Sequence, residues 1–262
     1  MEAFEFDAAV QDKLDKHEKK VESVQAEIIK YSIEKQQPLF DERDQIISSV
    51  EKFWYKTLMN SQGLAVFIDD EDREALSSLK AIRVDRDSAD PRSVTIHFDF
   101  NDNEYFSDKT LSKKFVPSKD AEPLGSDDYD FAETSETTKT EIHWKSDEKN
   151  LIKKNPSKIN VEQLNGDAEE DEASLLAPGS FFSTFFEATT EPVSHIGDRL
   201  INDLYPRALE YYTGDAIDLD DLYDDEDEEF DDEYDEEDDD DDDKEIDLED
   251  EDDQPPAKKT KN

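Results

Sequence analysis

The chain has 262 residues, a formal net charge of -45, 40% charged and 34% hydrophobic residues, and no cysteine. Such a field repels a phosphate backbone and favours cationic partners, and the lack of cysteine removes disulfides, thiolate nucleophiles and Cys-based zinc sites. No apolar run is long enough to span a bilayer and the acidic start "MEAFEFDAAV" is unlike a secretory signal, so the expectation is a soluble intracellular protein: one folded body plus acidic material that cannot hold a core.

The first predicted element is helical. Leu14, Val21, Val24, Ile28 and Tyr31 follow steps of seven, three, four and three, the spacing of a coiled-coil seam, and the pattern resumes after Pro38 with Leu39, Ile46, Val50 and Phe53. A proline inside such a pattern kinks or divides a helix, so residues 8–60 are read as one kinked helix or a short helix followed by a long one. Its stripe needs a cover. Self-pairing into a homodimer through Leu14, Val21, Val24, Ile28, Ile46, Val50 and Phe53 is the simplest answer, and packing on the chain's own domain is the alternative.

Residues 61–214 change period. "SVTIHFDF" alternates Val94, Ile96, Phe98 and Phe100 with Thr95, His97 and Asp99, as a strand with one buried face does. "LKAIRVD" and "TLSKKFV" are its predicted neighbours, with "NDNE" (Asn101 to Glu104) as a hairpin signal. After a polar loop over 117–138, "TEIHWKS" is read as a fourth strand carrying Ile142 and Trp144, which makes an antiparallel meander. A loop over 147–173 precedes a short helix with Phe181, Phe182, Phe185 and Phe186, then a second using Ile196, Leu200, Leu204, Tyr205 and Tyr211. These helices are expected to cover the sheet, giving an α+β fold.

From Asp215 to Asp253 acids face the single Lys244, interrupted by Tyr223, Phe230 and Tyr234, which reads as a disordered acidic tail. Residues 254–262 end it with Lys258, Lys259 and Lys261 after Pro255 and Pro256, read as a nuclear-import signal or as a cluster that folds back onto the acids. The tail's charge argues against strong direct DNA binding.

The segments "QQPLFDERDQIISSVEKFWYKTLMNS", "EDREALSSLKAIRVD", "VTIHFDFNDNEYFSDKTLSKKF", "TEIHWKS", "SFFSTFF" and "LYPRALEYY" resemble, in order, the nucleosome assembly protein family and its SET-type branch of histone chaperones. The resemblance implies a homodimer joined along the long helices and an "earmuff" domain with a concave acidic underside for histones. The longer polar loop and the basic ending, closer to fungal relatives, depart from the compact pattern. Core histones are the implied partners, with linker histone and a histone acetyltransferase as further candidates, in the nucleus with shuttling to the cytoplasm as an option. The runner-up is a regulatory protein that activates an acetyltransferase or inhibits a phosphatase.

Specific contacts are expected from Asp69, Asp70, Glu71 and Asp72, from Asp99, Asp102 and Glu104, and from Tyr223, Phe230 and Tyr234 as aromatic anchors among acids; a merely solvated face and spacer aromatics are the alternatives. Each exposed carboxylate adds only about 0.2–1 kcal/mol, but many on one tether act together. No catalytic role is assigned. His17, His97, His143 and His195 are scattered without metal spacing, no nucleophile elbow or phosphate loop occurs, and no cofactor is implied. An EF-hand pattern is missing, leaving low-affinity calcium adsorption at Asp238 to Asp243 as a third, weaker reading.

Overall fold

The computed structural model describes residues 6–157, 179–189 and 193–216. The acidic tail, its aromatics Tyr223, Phe230 and Tyr234, and the terminal lysines Lys258, Lys259 and Lys261 lie outside the described residues.

The first element, α1, is a helix over Ala8–Ile47 that begins on Asp7, whose carboxylate accepts from the amides of Ala9 and Val10 at 2.9 Å each. It runs through Pro38 without dividing. Pro38 removes one internal hydrogen bond but sits on an exposed face, where water can serve the freed carbonyl. The break comes ten residues later. Ser48 and Ser49 turn their hydroxyls back onto the carbonyls of Gln45 and Ile46, and Lys52 takes a left-handed conformation (φ 56°) before α2, Phe53–Met59. Residues 8–60 are therefore two helices with a turn at 48–52, and hydroxyl competition rather than proline decides where the first ends.

Two faces of α1 are apolar. Val21, Val24, Ile28, Leu39 and Ile46 form the seam the heptad spacing predicts and are all exposed, Ile46 at 68%. Roughly 120° around the helix, at 3.6 residues per turn, Ile29, Ile33, Phe40 and Ile47 face the chain's own domain and are half-buried or buried. The polar loop after the third strand helps cover this second face: Gly125, at φ +97°, lies so near α1 that a Cβ there would come within 2.4 Å of the Glu22 carbonyl and 2.6 Å of the Ala26 amide. Phe53 does not continue the exposed seam. It is buried and stacks on Tyr212 at 4.7 Å, because the turn at 48–52 rotates α2 into the core.

Short helices α3 (Gln62–Ala65) and α4 (Asp70–Leu76) lead into an antiparallel sheet in the order β1 (Leu79–Arg86), β2 (Val94–Phe100), β3 (Thr110–Pro117), β4 (Ser135–Thr137). The meander is the expected one, but its fourth strand differs. Ser135–Thr137, inside the segment read as a polar loop, follows the short helix α5 (Phe131–Thr134) and pairs with β3 from Pro117 to Phe115. "TEIHWKS" crosses instead to the β2–β3 connection, where Trp144 bridges Phe106 and the Ser107 amide donates to the His143 carbonyl at 3.0 Å. Its alternation is real. Ile142 is buried and Trp144 packs edge-on to Phe106 and Phe182, so the apolar side found a core without a ladder on β3. The turn at 101–104 opens a longer connection than a tight hairpin, with the Asn103 side chain accepting from the amides of Tyr105 and Phe106.

After α6 (Leu151–Lys154), the helices α7 (Phe182–Glu187, π-wound), α8 (Val193–Asp198), α9 (Arg199–Leu204, π-wound) and α10 (Ala208–Thr213) complete the described chain. Phe181, Phe182, Phe185 and Phe186 are fully buried; Phe181 stacks on Phe185 at 5.3 Å, Phe182 on Phe186 at 5.7 Å, and Phe98 of β2 meets Phe181, Phe185 and Phe186. Each such ring pair adds about 0.5–1.5 kcal/mol beyond burial. One inward position of β3 is a lysine. Lys113 has no exposed surface, and its ammonium donates to the carbonyls of Thr138, Phe186 and Ala188 at 3.0, 3.2 and 2.6 Å, closing the C-terminal end of α7 onto the sheet.

Candidate functional site

The acids expected to contact a partner separate in space. Asp69 caps α4 and Asp72 answers it: each carboxylate accepts the other's amide, at 2.7 and 3.1 Å. Asp72 is wholly buried and also accepts from the Ser180 hydroxyl and, at 2.6 Å, from the Phe181 amide. It is a structural carboxylate joining α4 to the segment leading into α7 and is unavailable to a partner, a correction to its expected role. Burial pushes its carboxyl up to about 7, against the lowering pull of the hydrogen bonds from Ser180 and Phe181.

The segment 147–155 gathers three of the others at one edge. Asn155 donates to Asp69 at 2.9 Å, Lys154 pairs with Glu71, and Lys149 pairs with Glu104 at 3.2 Å while lying over the Tyr105 ring, whose hydroxyl donates to Glu74. Asp102 pairs with Lys109 near the tip of the β2–β3 connection, and both Asp102 and Asp70, the latter with Arg73 at 3.9 Å, keep side chains almost completely exposed. Much of this acidity is thus matched by the chain's own lysines.

Asp99 belongs to a different place, the outer face of the sheet. Burial would raise its pKa, but hydrogen bonds from Arg83 at 2.9 Å and Thr110 at 2.6 Å hold it below the usual carboxylate range. Here the outer face of β1 and the C-terminal half of α1 enclose a cleft of about 480 Å³, lined by Asp41 and Asp44 from the helix, Asp85 and Asp99 from the sheet, and Lys80 and Arg83. Asp85 accepts from, or pairs with, His97 Nε2 at 3.0 Å, while His97 Nδ1 meets the Ser112 hydroxyl at 2.8 Å. These three side chains form a polar ladder across adjacent strands.

Beside the cleft, α1 is clamped to the domain. Arg43 donates to the Tyr205 carbonyl, pairs with Asp44 at 2.8 Å and lies over the rings of Tyr205, Phe40 and Trp54 at 4.5, 5.0 and 5.4 Å. Tyr205 stacks on Trp54 at 5.7 Å and donates from its hydroxyl to Asp44 at 3.0 Å. The helix can therefore present Asp41 and Asp44 toward the sheet in a fixed geometry. Sequence reading missed Asp41, Asp44 and Asp85; the available signal was for Asp44 alone, which shares one helical face with Phe40 and Arg43 at i, i+3 and i+4 spacing. His143, read as a surface histidine, is exposed and paired with Asp108 at 2.8 Å, which raises its pKa. Among the described residues no group of three or more His, Cys, Asp or Glu side chains is arranged to hold a metal ion, and no helix is long and apolar enough to cross a membrane.

A long helix clamped to an α+β domain with a four-stranded meander and an acidic cleft defines a class, and comparison with known proteins agrees. A family model for nucleosome assembly proteins (NAP) matches residues 47–215. The chain belongs to the nucleosome assembly protein family. It is 28% identical to Protein SETSIP of Homo sapiens over 185 residues (71% of this chain, 56% of the relative) and 28% identical to Protein SET of Drosophila melanogaster over 176 residues (67% and 60%). The chain thus spans somewhat more than half the length of these relatives. A Schizosaccharomyces pombe protein named for nucleosome assembly is 31% identical over 195 residues, 71% of this chain and 72% of the relative. Among solved structures, Ccp1 superposes with a TM-score of 0.59 at 26% identity, covering 79% of this chain and 95% of the other. The Vps75 histone chaperone superposes with a TM-score of 0.57 at 18% identity, covering 79% and 97%, and shows the shared fold.

Proposed function

We propose that the protein is a histone chaperone that works as a homodimer in the nucleus, shielding core histones from nonspecific contact with DNA and releasing them for nucleosome assembly or disassembly. The observation that carries this reading is the clamped acidic cleft between α1 and the outer sheet face. Four carboxylates line it beside Lys80 and Arg83; Asp44 and Asp99 are matched by Arg43 and Arg83, which leaves Asp41 and Asp85 to meet lysine and arginine side chains of a basic cargo. Membership of the nucleosome assembly protein family, together with the fold shared with the Vps75 histone chaperone, supports histones as that cargo.

In this reading the exposed stripe of Leu14, Val21, Val24, Ile28, Ile46 and Val50 pairs with a second copy. Asp70 at the α4 edge and the acidic segment after Asp215, with Tyr223, Phe230 and Tyr234 as anchors, extend the anionic surface, and Lys258, Lys259 and Lys261 serve nuclear import. Affinity then comes from many weak contacts and selectivity from the cleft. The test is a competition between DNA and recombinant core histones at near-physiological salt, read by native mass spectrometry and gel shift. A defined histone complex with the dimer, weakened roughly 1.5- to 5-fold by each of Asp41→Asn and Asp85→Asn, is expected. Absence of any defined complex, or indifference to the cleft substitutions and to tail removal alike, would sink it.

A further inference from the structure

Next to the acidic cleft, toward the N-terminus of α1, lies a second cavity of about 470 Å³ that shares only Gln37 and Tyr205 with it. Ile29, Ile33 and Phe40 form its helix wall, and Leu124, Phe131 and Ile201 its domain wall. Its volume falls within the roughly 300–1,000 Å³ of small-molecule sites. The polar groups at its side are of the wrong sign for this protein: Arg86 and Arg92 line the cavity together with Tyr129 and Asn202, and no carboxylate does, in a chain with 75 Asp and Glu residues.

The two arginines are in different states. Arg92 is already matched, with both its Nε and Nη2 on Asp90 at 2.9 and 2.8 Å and Nη1 on the Glu122 carbonyl at 2.7 Å. Arg86 has no carboxylate partner within salt-bridge distance among the described residues. It donates to the Pro91 carbonyl at 3.2 Å and to the Asn202 side-chain oxygen at 2.8 Å, and Asn202 is in turn held by Asp198 at 2.6 Å. Its guanidinium is therefore positioned by neutral acceptors, remains charged, and has N–H donors left over. An oriented guanidinium at an apolar wall suits a planar monoanion on a hydrophobic body.

We propose that this cavity binds an apolar carboxylic acid, its aliphatic body against Ile33, Leu124 and Ile201 and its carboxylate on the remaining donors of Arg86. A guanidinium with no direct carboxylate contact among the described residues, and only Asp198 nearby through Asn202, matches at most one negative charge, and a dianion such as a phosphate monoester would carry an excess charge into a strongly anionic protein. The site adjoins the histone cleft at Gln37 and Tyr205 but uses neither Asp41 nor Asp85.

Isothermal titration of the full chain with decanoate, decanol and decylamine tests the assignment. Saturable binding of one decanoate per chain is expected, with decanol and decylamine at least roughly tenfold weaker. Arg86→Met should weaken decanoate by roughly tenfold or more and leave decanol unchanged, and Arg86→Lys should restore part of the loss. Leu124→Trp fills the cavity and should abolish decanoate binding while the circular-dichroism spectrum keeps its native form; this variant decides the matter if loss of Arg86 disturbs the fold. Equal binding of the three probes, undiminished decanoate binding to Leu124→Trp, or no saturable binding would each overturn the proposal.

Discussion

At the scale of single residues, two buried charges set how stability should respond to pH. The Asp72 carboxyl is raised to about 7, so the native state holds a proton more tightly than the unfolded chain, and this group's contribution is fully present below the ordinary carboxylate range and lost as pH rises toward 7. The effect is on the order of 4 kcal/mol at most, from a displacement of about three pH units. Urea unfolding of Asp72→Asn between pH 4 and 7 should give a flatter stability profile than the parent. The amide can still accept from the Asp69 and Phe181 amides and donate to Ser180, whereas Asp72→Ala orphans those partners and should cost about 2–4 kcal/mol at every pH. Lys113 works in the opposite sense. Burial lowers its ammonium to about 8, so the native state loses its proton before the unfolded chain does, and its contribution should grow as pH rises from about 8 to 10.5. Lys113→Met leaves the carbonyls of Thr138, Phe186 and Ala188 short of a donor and should destabilise the fold by about 2–4 kcal/mol in the same assay.

Among the elements, α1 carries two apolar faces with different fates. The face of Ile29, Ile33, Phe40 and Ile47 is used within the chain, and the seam of Val21, Val24, Ile28 and Ile46 is exposed. Val24→Glu combined with Ile28→Glu should therefore leave the helical circular-dichroism signal and the folding of the domain intact while light scattering changes from a dimer mass to a monomer mass. Unfolding of the domain by the same pair would show that the seam packs within the chain. The turn between α1 and α2 stores strain at Lys52, whose φ of 56° a side chain rarely adopts. Lys52→Gly should raise stability by roughly 0.5–1 kcal/mol, measured by thermal or urea unfolding.

For the whole molecule, the proposed chaperone function divides charge between two levels: the acidic segment after Asp215 would contribute bulk attraction and the cleft geometry. Removing residues 215–262 should weaken histone shielding strongly and reduce its salt dependence, while residual binding should remain sensitive to Asp85→Asn; fluorescence titrations at several salt concentrations would separate the two. Residual binding indifferent to that substitution would assign all recognition to bulk charge.

The periodicities of this chain determined its elements by themselves: the heptad spacing of Leu14 to Ile46 placed a long helix, the alternation of Val94 to Phe100 a strand, and the four phenylalanines from Phe181 to Phe186 a buried helix, because spacing along a chain directly dictates which side chains share a face. The same spacing could not say which face meets what. Tertiary structure decided that Ser135–Thr137 rather than Ile142 to Trp144 pairs with β3, that Phe53 turns inward, and that Asp72 is a buried cap while Asp41, Asp44 and Asp85 meet Asp99 in a cleft. Carboxylates are interchangeable in a sequence this acidic, and burial, partners and field, which distinguish them, exist only once distant segments are brought together.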